Sequence, residues 1–540
     1  MVLMLYYSRF LCREADDALS RRWWIRFPAT FAGLALSLTA CGGTSPTSSI
    51  SSKAASATVT VAQANDAVCL LPYNTEDNLS YGIEADIYQG LIGYNAEMKI
   101  IPELAESWTS SPDAKTYTFH LNPKARFSDG TPVTALDVKK SFEFLLDPGH
   151  HLARTSLFAP ISKISVLGKE TVQFKLSKPF GAMLPTFAHP SAAVIEPSAL
   201  THTIKYLCDH PIGGSGKFIF QKWVPGTELV VVKNGHYWQP SLSAKVGKII
   251  YRPVADASAR MSGLETGQYQ VIYPLPTQEI SVLKKAKGIK IASGPNILVN
   301  YVALNTQVRP FNNVEVREAL NYAINRATFI KTVWNGYGTV MHSPVAPGVA
   351  YYHRVGSYSY DLSKARALLK EAGYPHGFST TLWSDNDTQS IEMDTAIQQA
   401  LGAIGVKVTV QPMDSATVLT KLFSPGAKKN ARMNLSDWSP STGDADWGLR
   451  PLFDGADFPP TGYNIAFYSN PKLDSLIADG LSSAKPSIRN AAYLQAEKLI
   501  WQQAPWIFLG IETNLWGERS NVKGVVARPD DILLMDNASE

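Results

Sequence analysis

Three neighbouring stretches decide how this chain is read: IYQGLIGYNAEMKIIPELAESW over Ile87–Trp108, YTFHL over Tyr117–Leu121 and FSDGTPVTALDV over Phe127–Val138. Thr116–Leu121 reads as a strand, Phe127-Ser128-Asp129-Gly130-Thr131 as the turn of a hairpin, and Ala135–Leu146 as a helix. Strand, turn and helix in close succession are the texture of an α/β protein. The pattern continues outward. Strands are expected at Thr58–Val61, Thr171–Leu176, Leu229–Lys233, Ile249–Pro253, Tyr301–Asn305, Ser379–Trp383 and Val406–Gln411. Helices are expected at Val314–Asn325, Ser363–Ala372, Ile391–Ile404, Pro471–Gly480 and Ile488–Gln502, the last two with apolar residues at three- and four-residue steps. Asp361 is placed to cap the helix carrying Ala365, Leu368 and Leu369, and Gly373 to end it. No period of 20–50 residues repeats, so a solenoid is excluded.

At 540 residues the chain exceeds the size at which one core stops growing, so two or more domains are expected. Lys+Arg number 50 and Asp+Glu 46, a formal charge of +4. That balance lacks the concentrated positive field of a nucleic-acid binder. The 45% hydrophobic content rules out a disordered chain.

The first 41 residues read as an export signal. Arg21, Arg22 and Arg26 precede an apolar stretch, Phe27–Leu38, too short for a comfortable membrane span. It ends in Leu38-Thr39-Ala40-Cys41, which resembles the lipobox of bacterial lipoproteins, with Cys41 the lipidated first mature residue. Residues 42–56, rich in Gly, Ser, Thr and Ala, read as a flexible tether. Of the four cysteines, Cys12 and Cys41 fall in the leader, leaving Cys69 and Cys208. In an oxidising compartment these pair or remain two separate buried thiols; sequence gives no Cα distance to decide.

Enzyme motifs are absent. There is no GxSxG elbow and no HExxH. Gly213-Gly214-Ser215-Gly216-Lys217 lacks P-loop spacing, and His150-His151 has no acidic or cysteine ligand at metal spacing. No catalytic residue, metal or cofactor is expected, and a binding role rises by elimination.

The opening stretches, in their order, resemble the extracytoplasmic solute-binding proteins of family 5, which serve the ABC importers of peptides, nickel and glutathione. Pro310–Arg326 (PFNNVEVREALNYAINR) matches too, whereas Gly213–Lys217 departs slightly from the family's return turn. Five further stretches are similar to the glutathione-type branch: Tyr237–Pro240, Arg252–Asp256, Lys370–Ser384, Trp438–Phe453 and Ile500–Leu509. Peptide-binding members carry an aspartate three residues after the tryptophan of a W-x-x-D loop, facing the ligand's ammonium. Here that position is Ser441, after Trp438, and a hydroxyl supplies no countercharge.

The resemblance implies a periplasmic-binding-protein-like α/β fold of type II, cluster C, with two lobes, a hinge and an extra inserted domain. Domain I would comprise 57–90, 212–298 and 510–540, domain II 91–211 and domain III 299–509. It implies a monomer in the periplasm or cell envelope, held to the membrane by its N-terminal lipid. It implies capture of glutathione or a short peptide for an ABC permease and its ATPase. A dipeptide, a nickel chelate or another small solute is the alternative, and a periplasmic hydrolase or chaperone a more distant one. Ser441, Thr442 and Gly443 read as a small turn-prone loop with free backbone N–H groups suited to a carboxylate. Asp444 and Asp446 are placed to meet an ammonium, and Trp438 and Trp447 to supply apolar walls. Spacing alone favours a solvated turn with core tryptophans, and only the whole-chain resemblance turns the reading toward a site. Trp383, Tyr301, Asn300, Arg260 and Tyr73 complete the candidate set; Trp383 could be core instead, and Arg260 part of a structural ion pair.

Overall fold

The computed structural model describes residues 57–540. The stretches read as an export signal and a tether, with Cys41, lie outside the described residues. Three sheets organise the chain. Seven strands pair in the order Ile289–Gly294, Asn514–Arg519, Val271–Tyr273, Thr58–Gln63, Lys248–Pro253, Glu228–Lys233 and Phe218–Val224. Six pair in the order Gly338–Val340, Trp506–Glu512, Val299–Leu304, Met433–Trp438, Ser379–Asp385 and Lys407–Met413. Four antiparallel strands between Ala105 and Leu176 make the third.

The residues explain the layers. In the seven-stranded sheet Thr58–Gln63 runs parallel to Lys248–Pro253 and Val271–Tyr273, and Val59, Val61, Ile249 and Tyr251 are buried. Every residue of Val299–Leu304 is buried, because this central strand is covered on both faces. Val302 and Leu304 join the helices Val314–Ala323, Arg326–Val333 and Thr388–Gly402 in one core, while Val299, Tyr301 and Ala303 face another. The four-stranded sheet packs on Ala135–Leu146 through edge-to-face contacts among Phe119, Phe142, Phe174 and Phe187.

The expected strands and helices all form, with ends shifted by a few residues. Asp361 accepts from the Lys364 amide as the cap, and Gly373 follows the helix at φ +89. The Phe127–Thr131 turn forms around Gly130 at φ +91, but its arms shrink to a single bridge between Arg126 and Pro132. Gly214 and Gly216 lie against the end of the helix Asn78–Ile87. A Cβ there would stand 2.1–2.3 Å from the carbonyls of Ile87 and Asp86, so close packing accounts for this glycine run. Cys69 and Cys208 are joined as a disulfide, tying the segment after the first strand to the helix Ile204–Asp209.

The chain crosses between the seven- and six-stranded sheets at Gly294–Val299 and again at Glu512–Asn514. The crossings brace each other. Asn296 Nδ2 donates to Asp531 at 2.9 Å, and Asn514 Nδ2 donates to the carbonyls of Pro295 and Arg528 at 3.1 and 3.0 Å. Two short adjacent crossovers between sheets are hinge geometry. The described residues otherwise pack as one compact unit.

Candidate functional site

The strands Ser379–Asp385, Lys407–Met413 and Met433–Trp438 lie side by side and run parallel where paired, so their carboxyl ends converge at one edge of the six-stranded sheet. In open α/β sheets ligands settle outside the carboxyl ends of strands. From this edge Met433–Trp438 leads through Ser439–Gly443 into the helix Ala445–Phe453. Gly443 sits at φ +62, the left-handed turn that admits the helix, and Asp444 caps it by accepting from the Asp446 amide.

The loop is more internally bonded than its composition suggested. The Ser441 amide donates to Ser439 and the Gly443 amide to Pro440, so neither is a free donor. The side chains behave differently: the buried hydroxyls of Ser439 and Thr442 have no hydrogen-bond partner among the described residues. Buried hydroxyls are ordinarily satisfied, so an unpartnered pair at the carboxyl edge marks a place where a polar group would be stabilised.

The two acids expected to receive an ammonium are instead held by arginines. Arg489 donates to both Asp444 oxygens at 2.7 and 2.9 Å, with both residues buried. Burial alone would push the Asp444 carboxyl upward, but the bidentate guanidinium favours the ionised pair. Asp446 is matched by Arg450, whose Nη2 donates at 2.9 Å. A carboxylate already neutralised by a fixed arginine offers little to a second cation.

Trp438 and Trp447 pack with ring centroids 6.0 Å apart, and the Trp438 Nε1 donates to the Trp447 carbonyl at 2.8 Å. Both are only half-buried, so they wall a recess as well as a core. Tyr463, 46% exposed and 5.4 Å from Trp438, extends this wall. Trp383 is buried, donates to Gln411 at 2.9 Å and carries Lys421 over its ring at 5.1 Å. Tyr301 stacks on Trp506 at 3.5 Å inside the core, while the Asn300 Nδ2 is buried without a partner.

Two expectations are corrected. Arg260 meets no carboxylate among the described residues: its Nη1 donates to the carbonyls of Val254 and Ala255 and its Nη2 to that of Pro274, while its buried Nε has no partner. Tyr73 does not line the site: it is 1% exposed, its hydroxyl donating to the Ala193 carbonyl at 2.8 Å. Other residues were missed. Tyr94 donates to the Thr442 carbonyl, and Met98 stands 2.9 Å from where a Gly443 Cβ would lie. The Gly181 amide donates to the Leu481 carbonyl at 2.8 Å. The first two contacts bring the segment before the four-stranded sheet against the loop, and the third ties the segment after that sheet to the end of the helix Pro471–Leu481. No local spacing signals them, because the partners lie hundreds of residues apart.

Among the described residues no helix is long and apolar enough to cross a membrane, and no cluster of three or more side chains is fit to hold a metal.

Comparisons with known proteins agree with this geometry. A family model described as "Bacterial extracellular solute-binding proteins, family 5 Middle" matches residues 99–459. The chain is 40% identical over 474 residues to the glutathione-binding protein GsiB of Shigella dysenteriae, covering 87% of this chain and 92% of that one. GsiB of Escherichia coli K12 is 39% identical over the same length and shares. Among solved structures, the periplasmic binding protein DppA of Helicobacter pylori, in complex with the peptide STSA, aligns with a TM-score of 0.76 at 26% identity, over 91% of this chain and 100% of that one. HbpA2 of Haemophilus parasuis aligns with a TM-score of 0.78 at 26% identity, over 89% and 99%. A lobed α/β fold and a match this long leave one assignment: the chain belongs to the bacterial extracellular solute-binding proteins of family 5, the substrate-binding components of ABC importers.

Proposed function

We propose that this receptor captures glutathione, or a short peptide closely similar to it, in the periplasm. The observation that carries this reading is the 40% identity, across 87% of the chain, to proteins named for glutathione binding. The loop supports it: Ser441 replaces the aspartate of the peptide-binding members, and the unpartnered Ser439 and Thr442 hydroxyls suit a polar ligand edge. Trp438, Trp447 and Tyr463 form the apolar wall, with Gly443 beside it, Trp383 and Tyr301 on its face of the sheet, and Asn300 on the other face at the same sheet end.

The three sheets correspond to three domains over 57–90 with 212–298 and 510–540, over 91–211 and over 299–509. The lobes close about the paired crossovers near Asn296 and Thr513, because ligand has higher affinity for the closed form. The closed form docks as a monomer on an inner-membrane permease, and Cys41 carries the lipid that holds the receptor at the membrane.

Isothermal titration against reduced and oxidised glutathione, dipeptides and a nickel chelate tests the ligand. Micromolar or tighter binding of glutathione with weaker binding of the rest is expected. Absence of glutathione binding at millimolar concentration, with a dipeptide or chelate bound, overturns it in favour of the peptide reading, which the STSA-bound relative would then support.

A further inference from the structure

With Ser441 lacking charge and Asp444 and Asp446 held by arginines, no residue of the Trp438 loop is left to receive a ligand's ammonium. The same sheet edge supplies one elsewhere. Asp437 is the penultimate residue of the Met433–Trp438 strand, and Glu512 ends Trp506–Glu512. Asp437 lies directly across from Asn300 in antiparallel register, and Gly510 flanks Asn300 on its other side. Directly opposed residues project to the same face, and so do residues two apart on one strand, so Asn300, Asp437 and Glu512 share one face at one end of the sheet. Asp531, from the C-terminal segment bound to the crossover, lies near them, and its own carboxyl is pushed up to about 8 by burial and by Asp530, Glu512 and Asp437.

We infer that Asp437 and Glu512, with Asn300 between their strands, form the seat for the amino-acid headgroup of an amine-bearing ligand.

Neither carboxylate is in an ion pair among the described residues. The cations around the loop and hinge are engaged: Arg489 with Asp444, Arg450 with Asp446, Arg528 with Asp530, and Lys421 over Trp383. Glu512 accepts one hydrogen bond, from Gln389 Nε2 at 2.8 Å. Asp437 is exposed to solvent. Protein around it displaces bulk water and, with Asp385 and Asp387, pushes its carboxyl up to about 6, and no hydrogen bond offsets this. Glu512 is pushed up to about 7 by burial, then by Asp437 and Asp387. Acids crowded together without a cation are destabilising unless one arrives. Asn300 is the independent pointer to a ligand. It is 3% exposed, with its Nδ2 hydrogens unpartnered on the face it shares with Asp437. An amino-acid headgroup satisfies both needs, its ammonium on the carboxylates and its neighbouring oxygen on the Asn300 N–H. A metal is disfavoured because no set of three ligating side chains converges there.

This rests on the peptide-like ligand proposed above, and the test separates the two. Glutathione and N-acetylglutathione are titrated calorimetrically into the wild type, Asp437→Asn, Glu512→Gln and the turn variant Asp129→Asn. The wild type and Asp129→Asn are expected to prefer the free amine by about 10- to 100-fold, the worth of a charged hydrogen-bonded contact. Asp437→Asn and Glu512→Gln should each lose most of that preference while melting at or above the wild-type temperature, because an unmatched charge has gone. A preference that persists in both acid variants overturns the seat and leaves glutathione capture standing. Equal binding of both ligands by the wild type overturns the seat as well. No binding of either overturns the functional reading and the seat with it.

Discussion

The buried pair of Asp444 and Arg489 permits a sharp test of how the loop is built. Asp444→Asn keeps a capping side chain for the helix Ala445–Phe453, since asparagine caps about as well as aspartate. It therefore isolates the loss of charge. What remains is a buried guanidinium whose other partners are the Gly480 carbonyl and the Tyr351 and Tyr493 hydroxyls. Removing one member of a buried pair costs about 3–5 kcal/mol. Unfolding entropy near 2.1 cal/mol/K per residue amounts to about 1 kcal/mol/K for a chain of about 500 residues, so the melting temperature should fall by about 3–5 °C. Arg489→Met should fall comparably, with protonation of the stranded Asp444 limiting the loss. The double variant should recover about half, giving a coupling above about 2 kcal/mol in a double-mutant cycle. The assay is differential scanning calorimetry of the four proteins, with ligand affinity measured alongside. Affinity should change by less than about threefold in Asp444→Asn, because a difference of about 0.6 kcal/mol or less is what a paired, non-contacting carboxylate implies. A variant that melts like the wild type yet binds at least tenfold more weakly would refute the reasoning, and Asp444 would be a ligand partner after all.

Other outcomes follow from the same structure. Asp86 is 1% exposed, accepts from the Tyr251 hydroxyl at 2.5 Å and is pushed up to about 8 by burial. An unfolded aspartate titrates near about 3.9, so the folded state retains a proton that the unfolded state loses. Its stabilisation is complete below about pH 4 and is lost as pH rises through about 8, at up to about 1.4 kcal/mol per pH unit. Melting curves from pH 5 to 8 should therefore fall in the wild type and fall less in Asp86→Asn; equal slopes would exclude Asp86 as the source. Gly443→Ala places a methyl in a left-handed turn and 2.9 Å from Met98 Cε, and should weaken ligand binding by about fivefold or more through roughly 1 kcal/mol of strain in the closed form, read by titration. The disulfide closes a separation of 139 residues, so its replacement by serines should cost about 2–5 kcal/mol in denaturant unfolding. A loss below about 1 kcal/mol would show that the unfolded chain is already constrained there.

Much of the fold was legible because local patterns were strong. The six-residue strands Thr116–Leu121 and Thr171–Leu176 and the helix Ala135–Leu146 appear where their residues predict them. The candidate loop was found from Trp438–Trp447, but its chemistry was read in the wrong partners. Asp444 and Asp446 look free in sequence because Arg489 lies 45 residues further on. Nothing in the sequence singled out Asp437, and its register with Asn300, 137 positions away in number, exists only once the strands pair.

The amino-acid sequence by itself determined the α/β texture, the family and the loop around which the site is built, since these depend on residue type, short-range spacing and motif order. Tertiary structure alone decided which charges are spent and which remain available. Pairing energies depend on distance and on exclusion of water, and a long chain sets both by bringing Arg489 to Asp444 and leaving Asp437 and Glu512 without a cation.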